Sequence, residues 1–360
     1  MNNENNWKET FLNADGTWEN GSEEAEAIFF DKLAIRIREA VFQYNSANKA
    51  PMRANHAKLI AGFTRAIFHV RTDLPADLAY GFLKPGARYE TVVRFSNAAG
   101  KRNPNDAIPD LRGIALRLRT PGQDYDLLMT SAEIHHARNA TEAMVAISAG
   151  TESERFSRSI PAQCPGREMI LGAHTLNYMV EHAGPESGGR MANTLRAQMA
   201  LKVFSVSTES FWSRAAFAIG PETKPERSTA IKFRLRPALQ KPAQEVIEAE
   251  NDLGQKLSEE LQTADVVFFF EIQRYLNPVD TPIEDNTKAW TTPFETVAEL
   301  VIPRGSISEN DAVDKLAFSP WNVDTNVFLP LGSMNRARRK VYDASWHERT
   351  HESAHNDSNL

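Results

Sequence analysis

A single cysteine, Cys164, stands among 360 residues. One thiol excludes an internal disulfide and a cysteine-rich zinc or iron–sulfur centre, and makes the reducing cytoplasm the expected location. No stretch approaches the roughly 18 uninterrupted apolar residues of a membrane-spanning helix, and the opening MNNENNWKETFLNADG lacks the basic-then-apolar pattern of a secretory leader. Phosphate-binding glycine patterns are also missing: there is no GxxxxGK[ST], no GxGxxG after a strand and no GxSxG elbow. Positive charge is not in excess, with 41 Lys+Arg against 47 Asp+Glu and a net charge of −6, which argues against nucleic acid as a partner. What is present is 41% hydrophobic residues, enough in a chain of this length to bury a large core unaided.

Residues 1–21 are rich in Asn, Glu and Gly without periodicity and read as a polar arm. Ser22 then offers an N-cap to EEAEAIFFDKLAIRIREAVFQY, whose Ile28, Phe29, Leu33, Ile37 and Val41 recur at helical spacing, so a helix is expected to about Asn45–Asn48. TRAIFHVRT, ARYETVVRFSNAA, RGIALRLRT, YDLLMT, TAIKFRLRPA, DVVFFFEIQRY and ETVAELVIP read as strands. Each is rich in β-branched or aromatic residues and bounded by Gly, Pro or Asp. Helices are expected near 138–150, 188–203, 243–261 and 333–352, too irregularly placed for a βαβ array. The class is α+β, a mostly antiparallel sheet or barrel. One domain over 22–352 is expected, with a polar tail at 353–360.

Three features could carry chemistry. In PMRANHAK, residues 51–58, Arg53 and His56 lie three apart before a strand; alone, this His reads more simply as a hydrogen-bonded structural residue. In the terminal SMNRARRKVYDASWHERT, an expected helix, Arg338, Tyr342 and Arg349 fall at roughly 0°, 40° and 20° and span about 16 Å, the scale of a planar macrocycle. Such a stripe could set Tyr342 on a metal with Arg338 holding the phenolate; alone, it also reads as a solvated basic face beside a core tyrosine. The third, HERTH, formally matches the HExxH zinc pattern, but it lies in a polar terminal segment that offers no dry, shaped cavity. Adventitious metal binding by His347, His351 and His355 is the better reading of it than a zinc hydrolase.

Taken together and in order, RANHAK, VVRFSNAAG, PDLRGIALRLR and RRKVYDASWHER resemble the haem catalases, and more closely their short catalase-related cousins. TPIEDNTKAW, PFETVAELVIP and FSPWNVDTNVFLPLGSMNRARRKVY extend the resemblance over most of residues 50–350. It implies an antiparallel barrel of about eight strands with flanking helices, a catalase-like core without the C-terminal extension, and haem b between the barrel and the Tyr-bearing helix. By the same resemblance Tyr342 is the proximal iron ligand and His56 the distal acid–base group. Arg338 then supports the phenolate, Arg53, Arg94 and Arg349 pair with the propionates, and Ser96 orients the imidazole. The implied chemistry is peroxide breakdown through an oxyferryl species, with a peroxide and a small organic electron donor as partners and a homo-oligomer as the assembly.

The sequence also departs from the pattern. Where catalases carry a distal asparagine in a DLVGNNTP-like segment this chain reads DLLMTSAE, which puts Thr130 or Ser131 there. His135 and His136 replace an aromatic pair, Ala143 or Met144 stands for the distal phenylalanine, and Asn55 precedes His56 in place of a small apolar residue. Slow dismutation of hydrogen peroxide is therefore expected, with peroxidase-like turnover of hydrogen peroxide or organic hydroperoxides. The alternatives are a fatty-acid hydroperoxide isomerase or lyase of the catalase-related type, and a haem-binding protein with little turnover.

Overall fold

A computed structural model describes residues 18–48, 53–100, 105–108, 110–221, 228–240 and 252–357. The first 17 positions of the expected polar arm lie outside it. Seven long or medium strands form in the segments read as strands: β1 (Leu59–Val70), β2 (Arg88–Asn97), β3 (Arg112–Leu118), β4 (Tyr125–Thr130), β7 (Thr229–Pro237), β8 (Val266–Arg274) and β9 (Glu295–Ile302). Three further strands are too short to show any period: β5 (Phe211–Trp212), β6 (Phe217–Ile219) and β10 (Phe328–Pro330).

Pairing runs β8-β9-β1-β2-β3-β4-β5-β7 and closes from β7 back to β8, so eight antiparallel strands make a barrel, with β6 and β10 added alongside β7. Closure leaves no free edge along that ring. Side chains alternate across each strand. Inward go Phe68, Val93, Phe95, Leu116, Leu127, Phe211, Phe233, Phe268 and Phe270, and the aromatic rings meet edge to face, Phe68 and Phe270 at 5.2 Å. Outward, one row runs straight across the sheet by register: Ser96, Gly113, Thr130, Trp212, Arg234.

Among the described residues six α-helices flank the barrel: α1 (Glu23–Asn48), α2 (Ala140–Ser157), α3 (Arg167–Met199), α4 (Leu253–Thr263), α5 (Asn310–Asp314) and α6 (Gly332–Asp357). The helix expected near 188–203 begins at Arg167 and breaks at Gly184, whose φ of 81° only glycine adopts freely before Pro185. Behind the break the chain folds back, bringing Gly188 so close to the Met179 backbone that a Cβ would sit 2.6 Å away. Helix α4 starts at Leu253, ten residues later than the expected start at 243, capped by the Asp252 side chain on Gln255 N; residues 241–251 lie outside the description. The terminal helix continues beyond 352 to Asp357.

Helices α1, α2 and α6 pack together through Phe30, Leu33, Ala140, Ala337 and the half-buried Val341. Arg336 of α6 pairs with Glu26 of α1 at 2.7 Å, and Ser333 N donates to both Glu284 carboxylate oxygens, an acidic group at the N-terminus of α6 where the helix dipole favours it. The residues TPIEDNTKAW thus anchor the start of the helix that carries Tyr342. No helix among the described residues is long and apolar enough to cross a membrane.

Candidate functional site

The loop before β1 carries His56 at a φ of 57°, a left-handed conformation that costs a non-glycine residue energy and is held by its surroundings. His56 N donates to Ala98 O at 2.9 Å, and its carbonyl accepts from Arg94 Nη2 at 3.0 Å. The ring Nδ1 lies 3.0 Å from Ser96 Oγ. Its plane rests on Gly113: a Cβ there would fall 2.6 Å from both Cε1 and Nδ1. A glycine within a strand signals such a close approach, but the sequence does not say what approaches. Gly113→Ala is expected to leave the strand and the melting temperature nearly unchanged while tilting the imidazole. Peroxide turnover per haem should then fall at least about 10-fold, because misplacing a reacting group by about 1 Å costs up to about 10²-fold. Turnover equal to the parent's would show that the ring's seat on Gly113 does not matter.

Burial and the guanidiniums of Arg94, Arg338, Arg53 and Arg214 push the His56 pKa down to about 3, so the imidazole is neutral near pH 7. Arg338, on α6, is near enough for its charge to act on the His56 ring. The packing says the same. Ala54, two residues before His56, and Val341, one before Tyr342, join one cluster with Ile37 and Ile147. On α6, Arg338 Nη2 donates to Tyr342 OH at 3.2 Å, while its Nη1 donates to the buried Asn335, which in turn donates to Ala216 O.

Arg53, Arg94 and Arg349 converge on Asp314. Arg94 Nη2 donates to its carboxylate at 3.1 Å, Arg53 donates to its carbonyl at 2.9 Å, and its charge acts on Arg349. Three guanidiniums against one carboxylate repel one another; burial and this repulsion lower Arg53 well below its usual pKa and Arg349 to about 10. These three guanidiniums and Asp314 together carry a net positive charge, which suits a ligand bearing more than one carboxylate, as the propionates of haem do. The residues present fit that group. Asp314 and Asn335 had no sequence signal.

On the row itself Thr130, not Ser131, shares the face of Gly113; the Ser131 hydroxyl accepts from Arg112 N at 2.9 Å. Thr130 Oγ1 accepts from Arg214 Nη1 at 3.2 Å. Arg214, in the link between β5 and β6, was not anticipated. His135 and His136 lie with ring centroids 4.3 Å apart, and Ala137 N donates to His135 Nδ1, which leaves the proton of a neutral ring on Nε2. Ala143 is buried in α2, Met144 packs towards Ala337, and Asn55 is exposed. His347 is exposed on α6, and the side chains of His351 and His355 lie outside the described residues.

Burial and the charge of Arg214 hold His136 at a pKa of about 3, and they also lower His135 well below the usual value. Each folded pKa lies below the unfolded value of about 6.5. Between about pH 6.5 and 3 the unfolded chain therefore binds protons that the native one does not, and stability falls as pH falls. The loss approaches about 1.4 kcal/mol per pH unit for each such ring. Urea unfolding at about pH 7 and 5 should show a smaller acid loss in His136→Gln; an undiminished loss would mean that His136 titrates normally.

The family model described as Catalase matches residues 28–158. Catalase isozyme 2 of Hordeum vulgare is 24% identical over 333 residues, covering 87% of this chain and 61% of that protein. A Catalase of Helicobacter pylori is 32% identical over 113 residues, covering 31% of this chain and 20% of that protein. Among solved structures, a bacterial catalase superposes with a TM-score of 0.59 at 18% identity over 86% of this chain and 59% of that one. Catalase A from Saccharomyces cerevisiae gives 0.57 at 15% identity, over 86% and 62%. The chain thus spans about three fifths of the length of these full-length matches. The closed barrel and these likenesses agree: residues 28–158 match the Catalase family model, and the chain has the fold of solved catalases.

Proposed function

We propose that this protein is a haem b-dependent peroxide-processing enzyme of the short, catalase-related kind. The observation that carries the reading is the packing of the loop with the half-buried, neutral His56 against the helix that presents Tyr342 and Arg338, through Ala54 and Val341. In this reading Tyr342 holds the iron and Arg338 keeps its oxygen an acceptor, while Arg53, Arg94 and Arg349 take the propionates. Once bound, the haem supplies the redox chemistry that cleaves a peroxide O–O bond.

The chain's own residues handle position and protons. Ser96 and Gly113 fix the His56 ring, and His56 takes a proton from the peroxide and returns it to the departing oxygen. The surrounding arginines make the imidazolium unstable, so the proton is passed on rather than kept. Thr130 supplies a hydroxyl in place of the amide expected of catalases, and that hydroxyl already accepts from Arg214. Oxygen evolution from hydrogen peroxide is accordingly slow, and oxidation of a small organic donor is the faster reaction. Rearrangement of a larger hydroperoxide is the second reading, favoured by an open groove of about 430 Å³ bounded by Thr208, Trp212, Arg236 and Leu239. A homo-oligomer in the cytoplasm goes with the proposal.

Purification with ample haem should yield one haem per chain with a ferric Soret band, slow oxygen release at an oxygen electrode and measurable donor oxidation with peroxide. The absence of a Soret band at saturating haem would overturn the proposal, and oxygen release at the rate of an ordinary catalase would overturn the peroxidase assignment within it.

A further inference from the structure

Arg214 is buried, with 8% of its surface exposed, and holds a φ of 60° in the left-handed region that non-glycine residues rarely adopt. Nη1 donates to Thr130; Nε and Nη2 have no protein partner among the described residues. These two nitrogens form the side-on fork of a guanidinium. In three other arginines the same fork takes a carboxylate: Arg71 with Asp73 at 2.9 and 2.7 Å, Arg117 with Asp126 at 2.7 and 2.8 Å, Arg336 with Glu26 at 2.7 Å through both nitrogens. At Arg214 the charged neighbour that acts on the group is another cation, Arg338. Glu133 borders the same crevice, but its charge acts on Lys232. A buried guanidinium without a counter-charge is strongly unfavourable, so a fold that keeps one keeps it for an anion.

The surroundings lead an anion there. Arg214, Lys232 and Trp212 border one crevice, and Trp212 also borders the open groove next to Arg236. Cations thus border both spaces that Trp212 lines, Arg214 and Lys232 in the crevice and Arg236, paired with Glu271, in the groove. Thr130, bonded to Arg214, lies directly across the ladder from Gly113, on which the His56 ring rests.

We propose that the Nε/Nη2 fork of Arg214 binds a ligand carboxylate beside Thr130, within reach of the pocket that His56 serves. This deepens the function proposed above and rests on it only for the ligand's being a peroxide. The carboxylate has two possible sources, a small free acid or the acid group of an organic hydroperoxide.

Formate is the probe, with formamide as its neutral counterpart of the same size. Calorimetry on the haem-loaded protein should show formate binding at least 10-fold tighter than in Arg214→Gln, and no binding of formamide; the Soret band separately reports any formate reaching the iron. Arg214→Lys keeps the charge without the fork and should also bind at least 10-fold more weakly, which serves if the Gln variant does not fold. Thr130→Val should bind within about 3-fold of the parent. Equal formate affinity in the parent, Arg214→Gln and Arg214→Lys would overturn the proposal. If the acid comes with the peroxide, the preference in kcat/KM for a carboxylate-bearing hydroperoxide over its methyl ester falls at least 10-fold in Arg214→Gln. If it is a free acid, that preference is unchanged while formate binding is lost. Should the haem reading itself fail, the Soret band is missing from every variant, yet the difference in formate binding between parent and variants remains.

Discussion

Tyr342→Phe is expected to give a folded protein that no longer retains haem. The side chain is half-buried, and its hydroxyl accepts one hydrogen bond, from Arg338 at 3.2 Å. Helix α6 is seated by Ala337, Val341 and Ala344 and by the Arg336–Glu26 pair, none of which involves that hydroxyl. Losing it therefore costs the fold about 1 kcal/mol at most. Losing a direct iron ligand costs far more than the roughly 10–100-fold in affinity of removing an outer partner, so haem affinity should drop more than 100-fold. Arg338→Gln removes such an outer partner and should stay within that range. Titration with haem followed at the Soret band reads both, and an unchanged ferric spectrum with full occupancy in Tyr342→Phe would end the assignment.

The second large effect is expected at His56. His56→Gln should keep haem, because the propionate arginines and Tyr342 are untouched, and should slow the peroxide-dependent change of the haem spectrum by about 10²-fold or more, the usual range for losing a positioned acid–base group. Its pH dependence is distinctive. With the imidazole pKa pushed down to about 3 by burial and by Arg94, the neutral form persists as the solution is acidified, so the acid limb of the profile should stay flat from about pH 7 to about 4. Ser96→Ala, which frees the ring from its 3.0 Å partner, should lower the rate less than His56→Gln does. Stopped-flow rates unchanged in His56→Gln would remove His56 from the role, and an acid limb in the parent centred near the ordinary value of about 6.5 would show that its pKa is not held down.

Strands β1 to β4 and β7 to β9 were legible because each is a run rich in β-branched or aromatic residues bounded by Gly, Pro or Asp. The stripe of Arg338, Tyr342 and Arg349 was legible because a helix converts fixed spacing into a shared face. Strands β5, β6 and β10, of two or three residues, have no period to read, and the elements beside them were misjudged for related reasons: α3 starts at Arg167 in a segment whose mixed composition hides its beginning. Gly113 looks like any strand glycine until its partner is known. Arg214, in FWSRAAF, looks like a loop cation, and nothing local reveals that its guanidinium is buried against Thr130.

By itself the sequence determined the α+β class, the places of the long strands, the helix that presents Tyr342 and the choice of chemistry-bearing residue types, because each depends on periodicity or identity within a few turns of chain. The tertiary structure alone decided that β7 returns to β8, that Ser96, Gly113, Thr130 and Trp212 form one row, and that Ala54 beside His56 packs with Val341 beside Tyr342 across most of the sequence. Register and burial are properties of pairs far apart in the chain. Whether a charge such as Arg214 is solvated or held for a partner is settled by what closes over it, which no local pattern encodes.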